Sequence, residues 1–115
     1  MNYVISLKRT PERLERFLNV NNHMDFQIFD AIDGNDISAF GNYNRYSHAN
    51  ALSHIALWKK CAEGDEDFLI CEDDAMIPDT FDRDFQNVWY HIPRDYDIVY
   101  FGCLFGCKDD STLNK

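Results

Sequence analysis

Short apolar segments alternate with helical patterns along this chain, and this alternation constrains the possible fold more than any other feature. The apolar segments are YVISL (residues 3–7), FQIF (26–29), FLIC (68–71) and IVYF (98–101). With the helical patterns between them, the predicted order is β-α-β-loop-α-β-α-β. Such an order predicts an α/β fold in which a mostly parallel sheet carries helices on both faces.

Capping signals and apolar spacing predict three helices. Thr10, Pro11 and Glu12 favour a helix start, because threonine caps, proline fits the first turn and an acid complements the positive helix end. The predicted buried stripes are Leu14, Phe17 and Leu18 in the first helix, Ala51, Ile55, Trp58 and Ala62 in the second (Ser47 to Ala62), and Phe81, Phe85, Val88 and Ile92 in the third.

The segment before the second helix, residues 34–46, shows neither a helical nor a strand period. It contains three aromatic residues, three asparagines and two glycines. A loop of this length is either the wall or lid of an active site or a solvated connector. The sequence leaves both interpretations open.

The length and the charge of the chain limit its architecture and its partners. A chain of 115 residues suggests a single domain spanning residues 1–115. The net charge of −9 argues against nucleic acid or an anionic membrane as a partner, because little positive charge is available to neutralise phosphates. No transmembrane segment is predicted, and a cytoplasmic location is expected.

The cysteines indicate a reducing environment. Cys61 and Cys71 fall in helix and strand patterns, which favours buried free thiols. Cys103 and Cys107 are four positions apart, a weak spacing for structural zinc.

Chemically reactive side chains follow the ends of three predicted strands. Lys8 and Arg9 follow the first strand, residues 30–34 (DAIDG) follow the second, and residues 72–74 (EDD) follow the third. In parallel α/β sheets, ligands bind beyond the carboxyl ends of the strands, near the point where strand order reverses. These three segments are therefore expected to converge on one site.

The three consecutive acids point to cation binding. Side chains alternate along an extended backbone, so Glu72 and Asp74 are expected on one side and Asp73 on the other. A hard divalent cation, Mg²⁺ or Mn²⁺, would relieve the repulsion and take carboxylate oxygens as ligands. The alternative is a solvated acidic turn before a helix.

The basic residues after the first strand also permit two interpretations. Lys8, Arg9 and Arg13 lie at the start of a helix, whose amide groups favour anions. The alternative is a solvated basic turn that pairs with acids along the helix. On the second helix, Ser53 and His54 share a polar side with Asn50, and a lone histidine there is more often packed than catalytic.

Four segments, taken together, resemble the sequence blocks of glycosyltransferase family 25, a lipopolysaccharide-biosynthesis family. YVISLKRTPERLERF resembles the family's opening, FDAIDG its second block, ALSHIALWKKC its third and FLICEDDAMIPDTF its fourth, and DYDIVYFG is similar to the strand that follows. The segments occur in the family's order and span nearly all of residues 3–102.

The resemblance implies a GT-A-like, Rossmann-like nucleotide-sugar-binding fold. It also implies transfer of a sugar, often galactose from a UDP donor, to a saccharide or lipid-linked glycan acceptor, with Mn²⁺ or Mg²⁺ and with inversion at the anomeric carbon. By this resemblance, the metal ligands are Glu72 and Asp74, the residues at the donor are Arg9, Arg13, Asp33, Ser53 and His54, and Asp73 is a candidate base for the acceptor hydroxyl.

The chain also departs from the family pattern. Ser6 and Lys8 stand where the family turn usually has Asn and Asp, Tyr46-Ser47 replaces a Gly-Glu pair, and Asn50 replaces a cysteine. Family members run well beyond this point, so the domain is expected to be incomplete at its C-terminal end.

Two other functions remain open. The first is a truncated, non-catalytic domain that binds a sugar nucleotide or another chain, in which a homo-oligomer would cover the open sheet edge. The second is a phosphoryl-handling signalling domain, which is disfavoured because such domains need acids where this chain has Lys8 and Arg9.

Overall fold

The protein's structure, a computed structural model, describes residues 1–102. Its elements are β1 (Asn2–Ser6), α1 (Pro11–Val20), β2 (Gln27–Asp30), a 3₁₀ turn (Gly34–Asp36), α2 (Arg45–Ala62), β3 (Leu69–Glu72) and α3 (Phe81–Trp89). Residues 1–81 form one compact unit, and the described residues 82–102 belong to a second. Each predicted helix exists, and the first three predicted strands lie within one residue of their expected bounds.

The strands β1, β2 and β3 form a parallel sheet in the order β2-β1-β3. β1 is central, with Ser6 opposite Asp30 of β2 and Ile5 opposite Glu72 of β3. The chain leaves β1 towards one edge and returns past it to the other, so strand order reverses beside β1. The predicted parallel sheet is confirmed for these three strands.

Alternating side chains of β1 bury the two faces of the sheet against different helices. Tyr3 and Ile5 pack with Leu57 of α2 on one face. Val4 packs with Phe17 of α1 on the other, together with Cys71 of β3. The crossover from β1 to β2 and the crossover from β2 to β3 run in opposite directions across the sheet, and right-handed crossovers of opposite direction place their helices on opposite faces. The prediction of helices on both faces is therefore confirmed for α1 and α2.

The predicted inward face of α2 is wrong. The buried positions are Ala49, Ser53 and Leu57, whereas Trp58 is exposed. Ser53 lies inside because its hydroxyl is fully used: it donates to the Ala49 carbonyl (3.0 Å) and accepts from the Ile32 amide (2.9 Å). A hydrogen-bonded serine is buried at little cost, so α2 is rotated away from its apolar stripe.

α2 also begins earlier than predicted. It starts at Arg45, and the Asn44 side chain accepts a hydrogen bond from the Ser47 amide (2.8 Å), so asparagine is the cap. Thr10 occupies the cap position of α1 as predicted, but its hydroxyl bonds the Leu7 carbonyl (3.4 Å) rather than a helix amide.

The fourth predicted strand, residues 98–101, is wrong. The structure describes these residues, and they form no strand. A strand exists through its ladder of partners, and apolar composition alone does not supply one. α3 likewise ends at Trp89, before the predicted Ile92. Cys103 and Cys107, the weak zinc pair, lie outside the described residues.

A buried asparagine ties the segment after β3 to the end of α1. Asn21 is fully buried, and its amide nitrogen donates to the carbonyls of Phe17 (2.9 Å) and Ala75 (3.1 Å). Its oxygen accepts from the Ile77 amide (2.8 Å). One side chain thus satisfies three backbone groups, and it fixes where the chain runs after the acidic turn.

Replacing Asn21 is expected to be costly. Asn21→Ala leaves the Ile77 amide and the Ala75 carbonyl without their partners, so unfolding should need about 2–4 kcal/mol less free energy. Urea titration followed by circular dichroism measures this. The matched control is Asn22→Ala, an exposed neighbour. Equal stabilities of the two variants would contradict the assignment.

Cys71 makes the protein sensitive to high pH. Burial raises the pKa of this thiol to about 11, above its value in the unfolded chain. Within that interval the folded thiol holds a proton that the unfolded chain has lost, so stability falls as the pH rises towards 11. The unfolding free energy of the wild type should therefore decrease with rising pH by about 1–2 kcal/mol more than that of Cys71→Ala. Urea unfolding of both proteins at about pH 8.5 and about pH 10.5 tests this. If the difference in unfolding free energy between wild type and variant is the same at both pH values, the prediction is wrong.

Candidate functional site

The segments that follow the three strands converge, as predicted, at the carboxyl edge of the sheet. After β1, Lys8 Nζ lies 3.3 Å from an Asp30 carboxylate oxygen, and Arg9 Nε lies 2.6 Å from Asp33 Oδ2. Asp30 is the last residue of β2, and Asp33 lies in the loop after it. Both basic side chains directly after β1, Lys8 and Arg9, therefore form ion pairs with acids at the end of β2 or in the loop after it.

The middle acid of the EDD triplet is turned inward. Asp73 is 8% exposed, and its Oδ2 accepts a hydrogen bond from Ser6 Oγ (2.8 Å). Its Oδ1 lies 3.1 Å from Arg13 Nε, which donates to it, and 2.8 Å from Arg13 Nη2. This carboxylate joins the end of β1, the first turn of α1 and the end of β3.

The outer acids of the triplet face solvent. β3 ends at Glu72, and the Ala75 amide donates to the Glu72 carbonyl (3.1 Å), which closes a turn over Asp73 and Asp74. Glu72 and Asp74 are exposed while Asp73 is buried. The two sides expected from alternation are present, but a turn rather than a continuing strand produces them.

A cavity of about 180 Å³ opens between these acids and α2. Among the predicted site residues, its lining includes Arg13, Ser53, Glu72, Asp73 and Asp74. Arg9, Asp33 and His54 do not line it. The cavity is placed where β1 and β3 end, at the reversal of strand order, which is where ligands bind in such sheets.

Asp33 organises the loop after β2 rather than the cavity wall. Its Oδ1 accepts from the Asn35 amide (2.9 Å), and its Oδ2 accepts from Arg9. The Asn35 amide and then the Arg9 guanidinium hold the pKa of the Asp33 carboxyl below its usual value, and Asp33 in turn raises the pKa of Arg9. This pair fixes the loop after β1 to the loop after β2.

Ser53 and His54 contribute differently. Ser53 lines the cavity, but its hydroxyl bonds Ala49 and Ile32 within the protein. His54 lies one position along α2, with its ring centre 6.3 Å from that of Trp58. Ser53 thus positions the loop after β2, and His54 packs on the helix surface.

Tyr46 is a cavity residue that the sequence did not indicate. Its hydroxyl donates to Asn35 Oδ1 (2.8 Å) and accepts from Arg45 Nη2 (3.2 Å). Gly34 is buried against it: a Cβ on Gly34 would lie 2.4 Å from Tyr46 Cδ1 and 2.9 Å from Tyr46 Cα. Gly34 ends the DAIDG segment that follows the second predicted strand, and its partner Tyr46 stands at the other end of the unpatterned segment 34–46.

Glu72 and Asp74 offer the cavity two exposed carboxylates. Within residues 1–102, no cluster of three or more His, Cys, Asp or Glu side chains is arranged to hold a metal ion. Mg²⁺-like cations that keep water ligands and share phosphate oxygens need only one or two protein carboxylates. The donor set therefore fits an ion that arrives with a phosphate ligand.

Comparison with known families gives one finding. The family model Glycosyltransferase family 25 (LPS biosynthesis protein) matches residues 1–105 of the 115. The chain belongs to glycosyltransferase family 25. The comparisons with curated proteins and with solved structures find no match.

Membership of family 25 places the chain among glycosyltransferases of lipopolysaccharide biosynthesis, which implies a nucleotide-sugar donor and a glycan acceptor. The match covers all three strands and the cavity at their carboxyl ends. The small parallel sheet of this protein, with its flanking helices, is consistent with a Rossmann-like fold. In the described part of this family 25 chain, no helix has the length and apolar character needed to cross a membrane.

The contact between Gly34 and Tyr46 can be tested directly. In Gly34→Ala the new methyl group meets the backbone of Tyr46, so the loop or the start of α2 must shift. We expect a loss of about 1–3 kcal/mol in unfolding free energy. Gly64→Ala is the control, because nothing lies within 4 Å of its added Cβ. Thermal unfolding of both variants measures the effect, and equal melting temperatures would contradict it.

Proposed function

We propose that this protein binds a nucleoside-diphosphate sugar, with UDP-galactose as the first candidate, at the cavity beyond β1 and β3. It transfers the sugar to a saccharide or lipid-linked glycan during lipopolysaccharide synthesis. One observation carries the proposal beyond family membership: two exposed carboxylates, Glu72 and Asp74, border the same cavity as the Arg13 guanidinium.

The acidic side of the cavity suits a divalent cation. Asp73 is already neutralised by Arg13, so Glu72 and Asp74 are the carboxylates available to hold Mn²⁺ or Mg²⁺. When bound, such an ion supplies positive charge that stabilises a departing diphosphate. Without it, the two unpaired carboxylates of Glu72 and Asp74 would repel the donor's phosphates.

The basic side of the cavity suits the diphosphate itself. Arg13 lies in the first turn of α1, where the helix amides also favour negative charge. Pocket volumes for whole drug-sized ligands run to about 300–1,000 Å³, so this cavity of about 180 Å³ suits the diphosphate and part of the sugar. The nucleoside would extend along the loops after β1 and β2, towards Arg9 and Asp33.

In the proposed reaction, an acceptor hydroxyl attacks the anomeric carbon of the donor. The new glycosidic C–O bond forms as the bond between that carbon and the β-phosphate oxygen breaks, and UDP leaves with the bonding electron pair. The hydroxyl proton passes to a base, and attack opposite to the leaving group inverts the anomeric centre. Arg13 holds the diphosphate in place while negative charge builds on it.

A non-catalytic sugar-nucleotide-binding domain is the second candidate. It would use the same cavity, and the observation that favours it is the inward commitment of Asp73, which leaves no carboxylate assigned as a base. A homo-oligomer stays a prediction: in the part of the chain that the structure describes, β2 and β3 each have one unpaired edge.

UDP with Mn²⁺ is expected to stabilise the protein. At a ligand concentration about ten times its dissociation constant, linkage adds about 1.4 kcal/mol, a rise of about 3–6 °C in melting temperature. The double variant Glu72→Gln, Asp74→Asn should abolish the shift, because it removes both carboxylates. Differential scanning fluorimetry measures it.

The matched control is Glu63→Gln, Asp65→Asn, which neutralises another exposed acid-x-acid pair. It should keep the full shift. Absence of a shift in the wild type would contradict the donor site. Release of UDP from UDP-galactose in the presence of an oligosaccharide acceptor then separates the transferase from the binding domain.

A further inference from the structure

We propose that Asp73 is a positioning residue that holds the Arg13 guanidinium at the cavity for the donor's diphosphate, and that it is not the base. The inference rests on the proposed function, and it concerns the one acid of the triplet that the proposed donor site does not use. Its basis is the contact geometry of a carboxylate shared by three chain segments.

Both oxygens of the Asp73 carboxylate are occupied. Oδ2 accepts from Ser6 Oγ at 2.8 Å, and Oδ1 faces Nε and Nη2 of Arg13 at 3.1 and 2.8 Å. A base must present an oxygen within hydrogen-bond reach of the acceptor hydroxyl. Here the oxygens point to the end of β1 and to α1, and the side chain is 10% exposed.

Arg13 is oriented by this contact and keeps donors for a ligand. Its side chain is 48% exposed and lines the cavity. Asp73 takes the Nε edge of the guanidinium, and among the described residues Nη1 has no hydrogen bond or ion pair. A guanidinium carries five N–H donors, so the Nη1 end can bind phosphate oxygens while the Nε edge stays on Asp73.

Arg13 is also the only basic residue among those that line the cavity within residues 1–102. Lys8 and Arg9, the other cations after β1, pair with Asp30 and Asp33. A long arginine side chain loses rotamer entropy when it is fixed in one orientation. Asp73, itself held by Ser6, fixes the Arg13 side chain before the ligand arrives. Diphosphate binding therefore does not bear this entropy cost.

The decisive variant is Asp73→Asn, which keeps the size of the side chain and an oxygen for Ser6 but removes the charge that orients Arg13. We expect the dissociation constant of UDP in the presence of Mn²⁺ to rise about tenfold. Arg13→Gln should weaken UDP binding by at least as much. In the double variant, Asp73→Asn should add less than about twofold, because its effect acts through Arg13.

The controls separate this role from general structural damage. Asp25→Asn removes one exposed negative charge away from the cavity, and it should leave UDP affinity unchanged. Ser6→Ala removes the second contact of the carboxylate, so it should weaken UDP binding a few-fold in wild type and not in the Arg13→Gln background. This variant decides the question if Asp73→Asn does not fold.

Isothermal titration calorimetry in the presence of Mn²⁺ measures the dissociation constant of UDP for the wild type and for each variant. Unchanged UDP affinity in Asp73→Asn, or losses that add to those of Arg13→Gln, would overturn the positioning role while leaving the donor site intact. Unchanged affinity together with a loss of more than about a hundredfold in transfer rate would make Asp73 the base. If wild type does not bind UDP, the proposed function fails and this inference fails with it.

Discussion

The buried carboxylate of Asp73 is the interaction on which the arrangement of the site depends. It connects Ser6 at the end of the central strand, Arg13 at the start of α1 and the turn that follows β3. Removing one partner of such a buried charge costs far more than the pair contributes, because the other charge is left without compensation. The position of the two outer acids therefore depends on a residue that faces away from them.

The contacts after the strands divide the charged groups into two sets. Lys8 and Arg9 neutralise acids on the β2 side, and Arg13 neutralises Asp73 on the β3 side. What stays exposed at the cavity is a pair of carboxylates with one half-exposed guanidinium. This is a local arrangement of both signs in a protein with a net charge of −9, and it is compatible with the phosphorylated ligand that we propose.

The sequence allowed the sheet to be predicted because its signals are local. Apolar runs alternating with helical spacing identified three of the four predicted strands and the helices on both faces, and topology then brought the three charged segments together. The inward face of α2 was missed because Ser53 is buried through a bond to Ile32, whose position depends on the folded loop. The hydrogen bond from Asn21 to the Ala75 carbonyl and the pairing of Arg13 with Asp73 were also missed. In both cases the partner is more than fifty positions away, so only the folded chain brings the two residues together.

The place of β1 between β2 and β3 has a consequence for biogenesis. β1, α1 and β2 are neighbours along the chain and can assemble as soon as they leave the ribosome. β3, in contrast, pairs with β1 only after α2 has been synthesised, and contacts between segments so distant in sequence form late. Until then one flank of β1 offers an open ladder to other nascent polypeptides, and Asp73 reaches Ser6 and Arg13 only when β3 joins the sheet.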